Sequence, residues 1–136
     1  MRSFPLKIVT PDGVQFDGSA EQLIVRTTGG DAAILARHID YVTPLGMGKA
    51  AVIVEGQKRY AACIGGMVSV ADGCVTLLPT TFEWEDKIDA ERAEKAKHRA
   101  EAILSDKSAS DTDVLLAKAR LKRALVRTSV VSGKVK

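Results

Sequence analysis

Few side chains in this 136-residue sequence stand where chemistry would need them. Asp89 and Arg92 are three residues apart in a stretch without Gly or Pro, so on a helix they share one face. Taken alone, that pair is a helix N-terminal cap with a local ion pair. The only histidines are His38 and His98. His38 has no ligand set or triad around it and is expected to be a packed or hydrogen-bonded structural residue; His98 falls in mid-helix. Cys63 and Cys74 lack metal-ligand spacing and flank no redox motif, so both are expected to be reduced, buried strand residues. Gly29-Gly30 is too short to cradle a phosphate, and no Ser/His/Asp set or paired-acid constellation is evident. A small enzyme is therefore disfavoured, no turnover is expected of the chain alone, and the sequence points to docking.

The charge distribution says where docking would occur. Residues 1–85 carry 7 basic and 9 acidic side chains, residues 86–111 carry 6 and 7, and residues 112–136 carry 7 and 1. The excess of positive charge thus sits in the last segment, and an acidic partner should meet the chain there. A nucleic-acid-binding or other adaptor module is the rival reading, because a basic helical tail suits phosphates. Aromatics are only 4% of the chain, and no zinc ligands or helix-turn-helix pattern accompany the charge, so no nucleic acid is expected. The first residues lack the apolar core of a signal peptide, and no apolar run nears the roughly 20 residues that span a bilayer, so the chain is expected to stay on the side where it is made.

Two periods organise the elements. Through residue 85 the sequence shows short β-branched runs between turn signals. Leu6, Ile8 and Thr10 alternate, Pro11-Asp12-Gly13 turns, and Val14, Phe16 and Gly18 keep the two-residue step. Leu23 to Thr27, Ala50 to Glu55 and Lys58 to Ile64 follow, with a turn expected at Gly56-Gln57. Met67 to Ala71 should pair with Cys74 to Leu78 across Asp72-Gly73, a strong hairpin signal. The spacing leaves no room for crossover helices, so an antiparallel β-sandwich is predicted. From Lys87 to Leu104 helix formers dominate, with Ala93, Ala96, Ala100 and Ile103 as one narrow stripe. After a polar loop from Ser105 to Asp111, with Ser110 as N-cap, a second stripe is Val114, Ala117, Leu121, Leu125 and Thr128. The prediction is an α+β chain: a sandwich over 1–85 and an antiparallel two-helix hairpin over 86–136. Alanine stripes bury little area each, so the hairpin should be weakly held and is the candidate moving part.

This order of elements, and the motifs within it, resemble the epsilon subunit family of F-type ATP synthases of the bacterial type. Val9-Thr10-Pro11-Asp12-Gly13-Val14-Gln15-Phe16-Asp17-Gly18 is similar to the family's opening strand and F-x-G. Gly30-Asp31-Ala32-Ala33-Ile34-Leu35-Ala36-Arg37-His38 resembles its Gly-Glu-Leu-Gly-Ile-(x)-Pro-Gly-His stretch, with Val42-Thr43-Pro44-Leu45 in the expected place. Ile64-Gly65-Gly66-Met67-Val68-Ser69-Val70 and Val75-Thr76-Leu77-Leu78 resemble its last hairpin, and Ile88-Asp89-Ala90-Glu91-Arg92-Ala93 its I/L-D-x-x-R-A helix start. The chain departs from the pattern at Ala33, where the family has Gly, at Ala36-Arg37, where it has Pro-Gly, and over Pro79-Thr80-Thr81-Phe82-Glu83. A Cβ at those glycine positions restricts positive φ, so a different path is expected there.

The resemblance implies a non-catalytic subunit of the central stalk, peripheral on the cytoplasmic face of the cell membrane and touching the membrane only through the complex. The sandwich would dock the gamma subunit and the c-ring, with Asp31 in a Thr28-to-Ala33 loop as the c-ring contact and His38 among the partner-binding residues. Bottom-up, Asp31 is as readily a residue that closes the Gly-Gly turn. The hairpin would meet the alpha and beta subunits and inhibit ATP hydrolysis, with Lys118, Arg120, Lys122, Arg123 and Arg127 facing an acidic loop. The resemblance also implies ATP as a regulatory ligand, no cofactor being required. Its site would comprise Glu83, Ile88, Asp89, Arg92, Ala93, Arg99, Arg123 and Arg127, Asp89 accepting from the adenine amino group and the arginines facing phosphates.

Overall fold

The two-residue period of the first strand is a burial pattern: in β1 (Phe4–Thr10), Phe4, Leu6, Ile8 and Thr10 are buried and the residues between them face outward. A computed structural model describes residues 2–133. The terminal lysines 134 and 136, which belong to the basic segment, lie outside the described residues. The chain divides into two compact units between Glu85 and Asp86.

The first unit continues with β2 (Gly13–Ala20), β3 (Gln22–Thr27), β4 (Gly30–Leu35), β5 (Tyr41–Pro44), β6 (Met47–Val54), β7 (Gln57–Ile64), β8 (Met67–Ala71), β9 (Cys74–Leu78) and β10 (Thr81–Trp84). They form two five-stranded sheets ordered β2-β1-β9-β8-β5 and β10-β7-β6-β3-β4. Between the sheets lies an aliphatic core including Leu6, Ile8, Leu23, Val25, Ile34, Val52, Val68, Val70 and Leu77, closed by Phe82 and Trp84. Trp84 packs edge-on to Phe82, its Nε1 donates to the Gln15 carbonyl at 3.3 Å, and the Arg59 guanidinium lies 3.8 Å over its ring.

The sandwich is mostly antiparallel, with one correction: β1 and β9 pair in parallel. A parallel pair needs a long crossover, and here the intervening strands of the sandwich supply it, with no helix required. Three further expectations change. The Thr28-to-Ala33 segment is not a loop, because β4 begins at Gly30 and pairs with β3 across the two residues Thr28 and Gly29. The turn expected at Gly56-Gln57 is at Glu55-Gly56, with Gln57 already opposite Val54. Cys63 is buried but Cys74 is exposed, since it stands beside the tight β8–β9 turn with its side chain on the outer face. In β2, an edge strand, Val14 is exposed, Phe16 packs against the core and Ala20 at the strand's end is buried in it.

The Asp72-Gly73 hairpin has the expected register, with Ala71 opposite Cys74. Gly66 has φ 94, and a Cβ there would overlap the Leu78 carbonyl oxygen, so this turn admits only glycine. Of the positions where the family's glycines were expected, Ala33 lies in β4, whereas Arg37 does take positive φ, at 67.

The second unit opens with a short 3-10 turn, Glu85–Lys87 beginning just ahead of it, followed by α1 (Ala90–Ser105) and α2 (Asp111–Gly133), which pack together. Asp89 caps α1 by accepting from the Arg92 amide at 3.0 Å, and Ser110 caps α2 by accepting from the Asp113 amide at 3.1 Å. Between the helices, Asp106 accepts from the Ser108 hydroxyl at 2.7 Å and the Ser108 amide at 2.9 Å, and these bonds hold its carboxyl below the usual range. On α1, Ala93 and Ala100 are buried, with Ala96 and Ile103 half-buried. On α2 the inward stripe is Val114, Ala117, Leu121, Ala124 and Thr128; Leu125, assigned to that stripe from sequence, is 43% exposed. Ala124 sits one residue earlier, closer to the helix phase of Ala117 and Leu121.

Candidate functional site

Side chains able to bind a partner gather at three places. The first is the β3–β4 hairpin. Thr27, buried at the end of β3, closes it: its Oγ1 accepts from the Gly29 amide at 3.1 Å and donates to the Gly30 carbonyl at 2.7 Å. Thr27, and not Asp31, therefore shapes the Gly-Gly turn. Asp31 stands directly opposite Arg26, and the Arg26 Nε donates to its Oδ1 at 2.6 Å. Gly48 makes this possible, since a Cβ there would lie 2.6 Å from the Arg26 Cβ. Both side chains are exposed, so the pair contributes about 0–1 kcal/mol and its main effect is to fix where the carboxylate points. Sequence reasoning missed Arg26, although its place one hairpin register from Asp31 is a legible signal once β4 is known to be a strand. His38 lies on the exposed turn after β4, its Nδ1 donating to the Ile39 carbonyl at 2.8 Å and its ring tilted against Tyr41.

The second place is the outer face of the sheet containing β5, β8 and β9. Pro44, Met67 and Leu78 are successive cross-strand neighbours and all are exposed, with Val42 beside them on the same face. These four side chains form a contiguous exposed apolar row, a candidate contact surface.

The third is the helical hairpin. Arg99 from α1 and Arg120, Arg123 and Arg127 from α2 line a cleft of about 330 Å³ whose floor is Ala96, Ala100 and Ile103. The two alanines of the floor let the helices approach, and four guanidiniums around one opening make it suited to an anion with several oxygens. Asp89 and Arg92 line a different opening, with Glu91 and Lys95, at the start of α1. Seven residues separate Arg92 from Arg99, about 10 Å along the helix. Of the other residues expected around ATP, Ile88 is half-buried, Ala93 is buried in the helix pair, and Glu83 lies on β10 in the first unit. The structure therefore brings Arg99, Arg123 and Arg127 together and adds Arg120, while Asp89 and Arg92 form a separate group. Lys118 and Lys122 are exposed and do not line the cleft. Among the described residues no cluster of His, Cys, Asp and Glu could hold a metal, and no helix is long and apolar enough to cross a membrane.

Comparison with known proteins agrees on both units. Residues 3–85 match the family model for the ATP synthase delta/epsilon chain β-sandwich domain, and residues 86–132 the model for its long α-helix domain. An ATP synthase epsilon chain of Ruminococcus albus is 42% identical over 135 residues, covering 98% of this chain and all of that protein. One from Bacillus velezensis is 41% identical, again over 98% of this chain and all of the other. A chain in the mitochondrial ATP synthase OSCP/F1/c-ring assembly of Euglena gracilis shares the fold at a TM-score of 0.80 and 23% identity, covering 98% of this chain and 82% of that one. A chain of the Tetrahymena thermophila central stalk and c-ring superposes at 0.66 with 16% identity. The motifs, the ten-stranded sandwich with its two-helix appendage, and relatives matched along their full length converge: the chain belongs to the epsilon subunit family of F-type ATP synthases.

Proposed function

We propose that this non-catalytic subunit works in the central stalk of an F-type ATP synthase, with its sandwich docked and its helical hairpin regulating ATP hydrolysis. The sandwich offers two distinct surfaces: the apolar row of Pro44, Met67 and Leu78 for the gamma subunit, and the oriented carboxylate of Asp31 for the polar rim of the c-ring. Through these contacts the subunit sits peripherally at the cytoplasmic face of the membrane, without entering the bilayer itself.

The observation that carries the regulatory reading is the four-arginine cleft on a hairpin packed mainly by alanine. Such a hairpin has little apolar burial to hold it closed, so an anion in the cleft can bias whether the helices stay paired or extend. ATP fits the chemistry. Its phosphates would neutralise Arg99, Arg120, Arg123 and Arg127, and its adenine would reach toward Asp89 and Arg92, about two helical turns away. With the hairpin extended, the cations of α2 would meet an acidic surface of the alpha and beta subunits and stop hydrolysis.

The test is ATP hydrolysis by the complex reassembled with Lys118→Gln, Lys122→Gln and Arg123→Gln combined. Each exposed ion pair contributes only about 0–1 kcal/mol, so several must be removed together. Release of inhibition is expected; hydrolysis at the wild-type rate would end the docking reading.

A further inference from the structure

Arg26 lies on a bed of two glycines. Its backbone carbonyl accepts from the Gly46 amide at 2.9 Å, and its side chain runs over Gly46 and Gly48. A Cβ at Gly46 would stand 3.3 Å from the Arg26 Cγ, and one at Gly48 only 2.6 Å from the Arg26 Cβ and 3.1 Å from its Cγ. The arginine stem is thus confined although its side chain is 51% exposed. An exposed ion pair adds little stability, so the pair with Asp31 does not account for this seat. The bond to Asp31 uses Nε, one of the five N–H donors of a guanidinium, and the four on the terminal nitrogens lie further out along the side chain. The rest of the hairpin tip, Thr28 and Gly29, is exposed and uncharged. This tip is tied to the apolar row, since the Thr28 amide donates to the Pro44 carbonyl at 3.2 Å and Thr27 bridges to Leu45.

We infer that Arg26 is a docking residue in its own right, and that with Asp31 it presents one neutral donor–acceptor pair to a polar loop of the c-ring. This rests on the c-ring reading of Asp31 and deepens it, by adding the second recognition group and the chemistry of the partner. The loop that fits offers both an acceptor, a carbonyl or carboxamide oxygen, and an N–H donor. A cationic surface fits poorly, because the guanidinium already neutralises the carboxylate and would itself be repelled. A lipid surface fits poorly too: the tip carries no net positive charge and no apolar side chain to insert. A second copy of the chain could only exchange one Arg26–Asp31 pair for another, with little gain. Four residues are also far short of the roughly 800 Å² per partner that a stable interface buries, so the tip acts beside a larger contact, and the adjoining apolar row supplies one. The glycine bed then has a function, since a side chain ordered in the free subunit loses little freedom on docking.

The experiment titrates the full chain onto the membrane-bound complex depleted of it and reads the half-saturating concentration for rebinding by co-sedimentation. Arg26→Gln, Asp31→Asn, Gly48→Ala and the exchange of Arg26→Asp with Asp31→Arg are compared, with an unchanged Trp84 fluorescence melt as the check that each sandwich is folded. Arg26→Gln and Asp31→Asn are each expected to raise the half-saturating concentration about fivefold, the scale of a lost polar contact. Gly48→Ala keeps both charges but displaces the arginine, and is expected to weaken rebinding in the same direction. The exchange keeps an ion pair within the hairpin yet is not expected to restore rebinding, because the partner's donor and acceptor are fixed in place. Wild-type rebinding by the exchange variant would mean that the pair only braces the hairpin, and the inference would be overturned. Wild-type rebinding by Arg26→Gln together with loss by Asp31→Asn would leave the carboxylate contact standing and remove Arg26 from it. Tighter, more salt-sensitive rebinding by Arg26→Gln would show a lone carboxylate meeting a cation, which also overturns the inference. If Arg26→Gln and Asp31→Asn both rebind like wild type, the tip does not dock and the c-ring reading falls as well. Dimers of the isolated chain that Arg26→Gln abolishes while rebinding is unchanged would make a second copy the occupant and overturn it.

Discussion

A thiolate in an apolar interior loses its hydration, so burial without a cationic partner drives the thiol upward, and the Cys63 thiol is accordingly pushed up to about 12. Cys74, by contrast, is exposed at the start of β9. At pH 8 the native chain should take up one equivalent of iodoacetamide, at Cys74, and a second only after denaturation; mass spectrometry of the labelled peptides would show it. Two rapid equivalents from the native chain would contradict the burial of Cys63. Sequence placed both cysteines on strands and was right about that, but alternation alone does not say which face of a strand is covered. Cys74 faces outward because Val75 and Leu77 face the core. Arg37 is a similar case. Glycine-poor sequence argued against positive φ there, yet the turn after β4 imposes it, and local sequence carries no record of a constraint set by the strands on either side.

At the scale of elements, legibility followed locality. The β8–β9 hairpin could be read residue by residue because its turn chemistry and its alternation lie within twelve positions. The β4 strand was hidden, since Ala32 and Ala33 have weak strand preference and no polar alternation, and its partner Arg26 gave the signal only in register. The parallel β1–β9 pair joins residues about seventy apart, beyond any local pattern. Of the site, sequence gave the right helix for every arginine but not the phase that puts Arg120 into the cleft and leaves Lys118 out. That division yields a prediction at the same scale. Titrating the chain with ATP and following backbone amide shifts should move the amides of Arg99, Arg120, Arg123 and Arg127 together, with smaller shifts at Asp89 and Arg92. The Asp89 carboxylate already accepts the Arg92 amide as a helix cap, so only its remaining lone pairs are open to an adenine amino group. Silence of the arginine amides up to several millimolar ATP would remove nucleotide from the proposed regulation while leaving the docking reading untouched.

For the whole molecule the two units differ in what holds them. The core of the sandwich is built from Phe4, Leu6, Ile8, Leu23, Ile34, Leu77, Phe82, Trp84 and their neighbours, all within residues 4–84. Each large apolar side chain contributes roughly 1.5–3 kcal/mol on burial. Among the described residues of the hairpin the buried side chains are Ala93, Ala100, Ala117, Ala124 and Val130, and alanine contributes much less. The hairpin should therefore melt first. The two signals are cleanly separable because the one tryptophan, Trp84, is in the sandwich core, whereas both α-helices belong to the hairpin. Heating should reduce helical circular dichroism at 222 nm in a transition below that of Trp84 fluorescence, and the gap should narrow when ATP is present, because a ligand of the paired helices stabilises only that state. The proposed regulatory role requires this order of stabilities, because the arm would have to open while the sandwich stays folded. Coincident transitions, with or without ATP, would mean that the arm opens only when the platform does, and a regulatory hairpin could not work that way.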